Sequence, residues 1–422
     1  MFYNQQRFFS YCQNGTISYS IKSPHLVSPK IVEKYSNFSN VEKLFQRPNV
    51  LPSFHIYTVW PDDKIAAEIP QRDIMTDGSY NENYQSGVRR TLSFRLNNQH
   101  DKYLPSINTI WANSKIYFER GVRIPGDDIE ITFPSGIFYI TSVSVTNTQT
   151  EKSVSVECSD KFSILDSPVG TAQDSVEIEV GEKAMDVIKN ILSTPLKNGY
   201  CLDTKRIFFD PKFQDVELQQ TIKLQSGSTY GKLLLEIADM FSAEVFYDEM
   251  GYLNFIPMVQ ETREYNKPIL SAYYNDSPFV SGDNIKLDFN SFVNAITVVG
   301  NNVNGHTCRA SSSNQNPKSP ISVGRIGERW GSIVNDPNIT NDVSAQERAD
   351  CELRKAMVYQ SETSYSMAFN PLLKANSLVK FTNEHLKFVE ETFLVQSINS
   401  PINYSGTMNA SIVNLKDLPF TF

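Results

Sequence analysis

Arg90-Thr91-Leu92-Ser93-Phe94-Arg95-Leu96 alternates polar and apolar residues, so an extended chain carries Leu92, Phe94 and Leu96 on one face. Downstream, Ile137-Phe138-Tyr139-Ile140-Thr141-Ser142-Val143 and Ser153-Val154-Ser155-Val156-Glu157-Cys158 flank a polar turn at residues 146–152. Two β-rich runs around such a turn predict an antiparallel pair. His55-Ile56-Tyr57-Thr58-Val59, stopped by Pro61-Asp62-Asp63, and Lys115-Ile116-Tyr117-Phe118 supply two more strands. Residues 49–167 therefore read as an antiparallel sheet, barrel or sandwich.

Outward from that region the period changes. Ala184, Val187, Ile188 and Ile191 share a helical face, and so do Leu233, Leu234, Ile237 and Phe241. The second helix runs into Glu244-Val245-Phe246-Tyr247, a turn at Glu249-Met250-Gly251, and Tyr252-Leu253-Asn254-Phe255-Ile256. Residues 168–283 are thus expected to form an α+β unit. Strand patterning returns at residues 284–299, followed by an Asn/Ser/Gly/Pro-rich stretch expected to be a long loop over 301–342. Ser344 and Glu347 have the spacing of a capping box, with Val343 as its staple. The helix they open, at 343–359, places Ala349, Leu353, Ala356 and Met357 inward. Glu347, Arg348 and Arg354 point outward, and more strands close the chain. The first 48 residues are polar, aromatic and weakly periodic, and read as an arm.

The later strands echo the earlier ones in order. Leu92-Ser93-Phe94-Arg95-Leu96-Asn97 matches Tyr365-Ser366-Met367-Ala368-Phe369-Asn370, and Ser114-Lys115-Ile116-Tyr117-Phe118 matches Ser377-Leu378-Val379-Lys380-Phe381. Phe138-Tyr139-Ile140-Thr141-Ser142-Val143 matches Phe393-Leu394-Val395-Gln396-Ser397-Ile398, and Val154-Ser155-Val156 matches Ala410-Ser411-Ile412. The expectation is a duplicated β domain. Three chains with two copies each would present six similar units, the arithmetic by which a threefold ring docks on a sixfold one.

Composition removes several function classes. The chain has 422 residues, 26 Phe and 20 Tyr, and a net charge of −8. Nucleic-acid binding by phosphate neutralisation needs a basic face, and the densest basic cluster is only Arg89-Arg90. Cys12, Cys158, Cys201, Cys308 and Cys351 are odd in number and widely spaced, so neither a zinc knuckle nor a disulfide framework is expected. The five histidines are scattered without metal-ligand spacing. Gly227-Ser-Thr-Tyr-Gly231-Lys232 is one residue short of a phosphate loop and has Leu233 where a metal-binding hydroxyl belongs, so it reads as a helix N-cap. The acidic pairs Asp62-Asp63, Asp127-Asp128 and Asp248-Glu249 fall at turns and read as solvated. No cofactor, metal or catalytic residue is expected. The opening MFYNQQRFFSYCQNG reads as no signal peptide, no stretch reaches the length of an apolar membrane span, and stable membrane association is not expected.

At Asn83-Tyr84-Gln85-Ser86-Gly87-Val88-Arg89-Arg90-Thr91-Leu92-Ser93-Phe94, followed by Ile110-Trp111-x-x-Ser114-Lys115, the chain resembles the first tube-like domain of baseplate-hub (tail-hub) proteins of long-tailed bacteriophages and tailocin-like particles. Gly136-Ile137-Phe138-Tyr139-Ile140, leading to Val154-Ser155-Val156-x-x-x-Asp160-Lys161-Phe162, is similar to the same domain. Glu347-Arg348-Ala349-Asp350-Cys351-Glu352-Leu353 resembles the helix before the family's second such domain. The resemblance covers about residues 50–422. It implies a mainly β protein with two tube-like antiparallel barrel or sandwich domains, at 49–167 and 284–422, flanking the α+β part.

By the same resemblance the protein is a structural, non-enzymatic homotrimer of the virion tail baseplate, made in the host bacterial cytoplasm. Its implied partners are the tail tube or distal tail protein and a spike, fibre or tail-lysin protein, with phage DNA passing through without specific binding. Arg348, Glu352, Arg354 and Lys355 on the helix, and Phe8, Phe9 and Tyr11 on the arm, are the candidate interface residues. The arm's aromatics, Phe2, Tyr3, Phe8, Phe9, Tyr11 and Tyr19, either pack back on the β domain or anchor a partner. Two other classes are carried alongside: a carbohydrate-binding tail module using Trp60, Trp111 and Trp330, and a tail-associated cell-wall hydrolase.

Overall fold

The computed structural model describes residues 4–12, 15–23, 34, 36, 40, 41, 44, 51–84, 87–105, 110, 111, 114–124, 129–195, 201–203, 207–218, 221–257, 269–274, 280–287, 292–303, 305–337, 339–358, 361–383, 388–404 and 406–414. The alternating stretch around Phe94 is a strand whose inward residues Leu92, Phe94 and Leu96 are buried, as period-two patterning requires. The early strands are β1 (Asn4–Cys12), β2 (Gly15–Ser23), β3 (Leu51–Val59), β4 (Ile65–Ile69), β5 (Gly78–Asn83), β6 (Arg90–Asn97), β7 (Lys115–Ile124), β8 (Ile129–Asn147) and β9 (Lys152–Asp160). Their pairing order runs β5-β6-β9-β8-β7-β3-β4, all antiparallel.

The middle of the chain holds β10 (Val176–Ile178), helix α1 (Ala184–Leu192), β11 (Ile207–Phe209), β12 (Ile222–Leu224), helix α2 (Tyr230–Met240), β13 (Ala243–Tyr247) and β14 (Leu253–Pro257). Its core is distinct from that of the large sheet: Val187, Ile188 and Ile191 of α1 join Leu233, Leu234 and Ile237 of α2 and Phe255 of β14, with Tyr139, Phe162 and Leu165 of the first unit packed into the same cluster. Thr229 caps α2, its Oγ1 accepting from Lys232 N at 3.3 Å, which is the cap reading of the glycine-rich stretch.

The later strands are β15 (Ile269–Tyr274), β16 (Val280–Leu287), β17 (Ala295–Val303), β18 (His306–Ser313), β19 (Val334–Asn335), β20 (Ser361–Ala368), β21 (Leu378–Asn383), β22 (Phe388–Ile402) and β23 (Thr407–Asn414), with helix α3 (Asp342–Val358) before β20. Their order is β16-β20-β23-β22-β21-β15. Taken in chain order, that is the order β5-β6-β9-β8-β7-β3 of the first set. The bulge recurs too: register shifts between Ile140 and Ser142 in β8 and between Val395 and Ser397 in β22, at matching positions. One sense differs, because β3 runs antiparallel to β7 whereas β15 runs parallel to β21.

The duplication expected from the strand echo is therefore present in the topology, with a correction to its alignment. Phe138 pairs with Asp160 as Phe393 pairs with Asn414, and Ile116 faces Phe138 as Val379 faces Phe393, so two of the four matches are in register as read. The other two slip by two residues. Phe94 faces Val156 as Tyr365 faces Ala410, so Phe94 and not Leu92 is the counterpart of Tyr365. A two-residue slip keeps every side chain on its own face, which is why patterning could not detect it.

Other expectations change as well. The first 23 residues are not irregular throughout: β1 and β2 form a hairpin, and β2 adds to β8 with Ile21 opposite Ile131. Tyr19 and Ile21 are fully buried, so for Tyr19 packing back on the sheet is the outcome. Residues 301–342 are not a long loop. β17, β18 and β19 make a three-stranded sheet there, with a one-turn helix at Val323–Ile326. Asn294, fully buried, holds this insert by donating to Gly327 O at 2.8 Å and Ile321 O at 3.0 Å. Such side chain-to-backbone bonding, spanning 27 and 33 residues, leaves no apolar pattern to read.

The helix start is corrected likewise. Asn341 Oδ1 accepts from Ser344 N at 2.8 Å, so Asn341 caps α3 and Ser344 lies within the first turn. Val343 is 71% exposed and makes no staple.

Candidate functional site: the seam between the two β units

β22 is longer than β21 and overshoots it. Its far end, from Ser397 to Ile402, pairs antiparallel with β5, from Asn83 to Gly78. This pairing fuses the two sets of strands into one fifteen-stranded sheet with a shared core, in which Tyr80, Phe118 and Phe138 join Tyr365, Val395, Ile398 and Ile412. Phe54 and Phe369 meet edge to face across the two sets at 5.5 Å. Gly78 is needed at this crossing: a Cβ there would lie 2.5 Å from Ser93 O and 3.1 Å from Ile402 Cδ1.

The middle unit docks on the same seam through buried charge. Arg90 Nη2 donates to Glu82 Oε1 at 2.9 Å and to Glu249 Oε1 at 3.0 Å, while Nη1 donates to Tyr247 O at 2.6 Å. Lys374, from the turn after β20, reaches the same Glu249 oxygen at 3.0 Å. Arg89 Nη2 donates to Glu244 Oε2 at 2.7 Å, and its guanidinium lies 3.4 Å from the Phe246 ring centroid. Three separated segments thus converge on one buried network. Asp160 Oδ2 accepts from the amides of Arg89 and Arg90 at 2.7 and 3.0 Å, yet burial pushes its carboxyl up to about 6. Burial acts to raise Glu249 also, but Lys374 and Arg90 outweigh it and hold that carboxyl below the usual range.

Two further networks start in the first unit, one of them reaching Asp203 of the middle unit. Lys161 Nζ bridges Asp63 Oδ2 at 3.0 Å and Asp203 Oδ1 at 2.7 Å, and Lys115 Nζ reaches Asp63 Oδ1 at 2.5 Å. His55 sits between Glu68 and Glu130, each at 2.6 Å, beside Lys22, which pairs with Glu119. Burial alone would lower His55, but the hydrogen bonds to Glu130 and Glu68 outweigh it and raise it. The turn carboxylates expected to be solvated are corrected here: the side chain of Asp63 is 1% exposed, and Glu249 is locked in the seam. Asp127 and Asp128 lie outside the described residues.

The candidate interface residues fall as follows. α3 packs on β17 and β18, and its charges pair within the chain: Arg348 Nη2 with Asp239 Oδ2 at 3.0 Å, Lys355 Nζ with Asp239 Oδ1 at 2.8 Å and Glu352 Oε1 at 3.1 Å. They tie α3 to α2. Arg354, expected to face outward, is buried, because α3 is covered on more than one side. Phe8, Phe9 and Tyr11 lie in β1, opposite Tyr19, Ser18 and Thr16; their side chains are outside the described residues. Trp60, Trp111 and Trp330 are exposed at 60%, 47% and 52%, each on a different connection. Among the described residues no group of three or more His, Cys, Asp and Glu could hold a metal, and no helix is long and apolar enough to cross a membrane.

Sequence reading missed the seam itself. Arg89-Arg90 was visible as a basic pair, but apart from Glu82 its carboxylate partners lie more than 150 residues away, at Glu244 and Glu249, and carry no local signature.

No family model and no curated protein matches the chain. Solved structures do. The 43 kDa tail protein of prophage MuSo2 from Shewanella oneidensis aligns over 87% of this chain and 99% of its own, at 14% identity and a TM-score of 0.56. The tail protein from Neisseria meningitidis MC58 aligns over 87% and 100%, at 11% identity and a TM-score of 0.59. Prophage tail protein gp18 from Listeria monocytogenes EGD-e aligns over 85% and 94%, at 14% and 0.50. The chain shares their fold.

Proposed function

We propose that this chain is a non-enzymatic structural component of a phage-type tail, and more finely that it is the baseplate hub: a homotrimer joining a sixfold tail tube to a threefold tip. The observation that carries this reading is the repeated strand order β5-β6-β9-β8-β7-β3 and β16-β20-β23-β22-β21-β15 within one continuously paired sheet. Two equivalent units per chain become six per trimer, so one ring can satisfy both symmetries. The fold likeness to tail proteins, spanning nearly the whole length of each, supports the tail assignment. The net charge of −8 suits a wall past which DNA slides without phosphate contacts.

The buried networks have structural work to do, since each ties separated segments together. The test is the mass of the purified protein in solution. A species near three times 47.9 kDa is expected; a monomer at every concentration would remove the hub reading. Clearing of a cell-wall suspension by the same preparation would instead favour the hydrolase class.

A further inference from the structure

β4 is held on the sheet by little besides its backbone. Of its five residues, Ile65 to Ile69, only Ile69 is buried, and among the described residues the second unit has no strand in the equivalent place. Its pairing with β3 runs from Ile56 opposite Ile69 to Val59 opposite Ile65 and is broken by a bulge after Thr58. Glu68 adds the tie that reaches inward. Its Oε1 meets Nδ1 of the buried His55 at 2.6 Å, while Glu130 Oε2 meets Nε2 of the same ring at 2.6 Å. A neutral imidazole has one N–H and one bare nitrogen, so it can donate to only one of two carboxylates. The other contact would set lone pair against lone pair. An imidazolium donates to both, and the geometry is that of the charged ring.

The surrounding groups come from four further strand faces. Lys22 of β2 donates to Glu119 of β7 and to the Tyr57 hydroxyl of β3. Tyr117 of β7 donates to Glu119 Oε1 at 3.0 Å, and Arg123 of β7 pairs with Glu130 Oε1 of β8 at 3.0 Å. With the ring charged, Lys22, His55 and Arg123 face Glu68, Glu119 and Glu130, three charges against three. Loss of the ring proton leaves one carboxylate in excess. The side chains of Glu119 and Glu130 are 2% and 5% exposed, and each keeps another cation. That of Glu68 is 31% exposed, so Glu68 is the carboxylate that water can take up.

We infer that β4 is a strap latched by the His55 proton: the charged ring holds Glu68 and keeps β4 on β3, and loss of that proton frees Glu68 and loosens the strap. The two ends stay fixed. Asp63, before the strap, is anchored by Lys115 and Lys161, and Gln71, after it, donates through Nε2 to Phe54 O at 3.1 Å. Movement is thereby confined to residues 65–69, and it uncovers His55 and the outer edge of β3. His55 titrates above its ordinary 6.5, so the strap is closed below that value and opens as pH rises through the raised one. The latch stands apart from the hub reading, since monomer and trimer alike carry it.

The test is hydrogen–deuterium exchange of the full chain from about pH 6 to pH 9, with each rate corrected for the intrinsic pH dependence of amide exchange. Protection at Ile65 to Ile69 is expected to fall across the His55 titration, while protection in β6 stays level. Nitrogen-15 spectra of the chain with labelled imidazole rings locate that titration and are expected to show both His55 nitrogens protonated at the low end. Glu68→Gln, at a residue that water already reaches, is expected to fold, to lower the His55 pKa, and to leave β4 equally loose at both ends of the range. Coupling is reciprocal, so each pKa unit lost in Glu68→Gln corresponds to about a tenfold fall in wild-type β4 protection. A His55 ring already neutral at the low end, or β4 protection that stays as level as that of β6, overturns the inference. So does a Glu68→Gln chain whose β4 is as protected as that of wild type at the low end.

Discussion

The first and second β units share strand order, bulge position and apolar faces, yet they differ where strand ends meet the rest of the chain. Arg90 faces Glu82 across β6 and β5, and the same place in the second unit pairs Ser361 with Leu287. Asp160 faces Phe138, and its counterpart opposite Phe393 is Asn414. The β framework therefore does not need these charges. They occur where the first unit receives the middle one, because the docked backbone, Tyr247 O among it, presents polar groups that burial would otherwise strand. A duplicated fold has kept its apolar layer in both copies and placed the Arg89 and Arg90 ion pairs at the seam, while the buried Lys22–Glu119 and His55–Glu130 pairs lie elsewhere in the first unit.

The largest effect that could break this comparison is at Arg90. Arg90→Met should cost about 3–5 kcal/mol in urea unfolding, since it leaves Glu82 buried without its cation. Adding Glu82→Leu, the residue type of the second unit, should recover much of that loss, as removing both partners of a buried pair does. A double variant no better than the single would mean that the network is required by the β fold itself.

The shared layer makes the next case. Leu96 and Met367 are equivalent and both almost fully buried, so Leu96→Ala and Met367→Ala should each cost about 2–5 kcal/mol. Markedly unequal costs, or two separate unfolding transitions, would show that the seam does not make the units one cooperative body.

A smaller effect should follow pH in the first unit alone. His55 has a raised pKa in the folded chain, so its contribution is fully present below its ordinary value of 6.5 and is lost as pH rises through the raised value. Stability measured from about pH 5.5 to 8.5, wild type minus His55→Gln, should fall across that window by at most about 1.4 kcal/mol per pH unit. A flat difference would mean that the Glu68–His55–Glu130 bridge carries no charge. The smallest change belongs to the second unit's insert: Val343→Ser should lie within about 0.5 kcal/mol of wild type, because the residue is exposed and makes no staple.

What the sequence determined by itself was everything written in local periodicity. Period two at residues 90–96, the β-rich run at 137–143, and period 3.6 at 184–191 and 233–241 depend only on local residue types, and the structure has strands and helices there. The order of echoing strands was legible for the same reason. Only the tertiary structure decided the two-residue slip in the repeat, since a period-two pattern is blind to it. Cap and insert were likewise hidden, because Asn341 and Asn294 act through side-chain hydrogen bonds to backbone and leave no stripe. The seam was furthest from reach. Its strands, β5 and β22, are separated by some three hundred residues, and its ions, Arg90 with Glu249, by 159. A contact between distant segments depends on where the whole chain folds, and no local pattern of residue types specifies that distance.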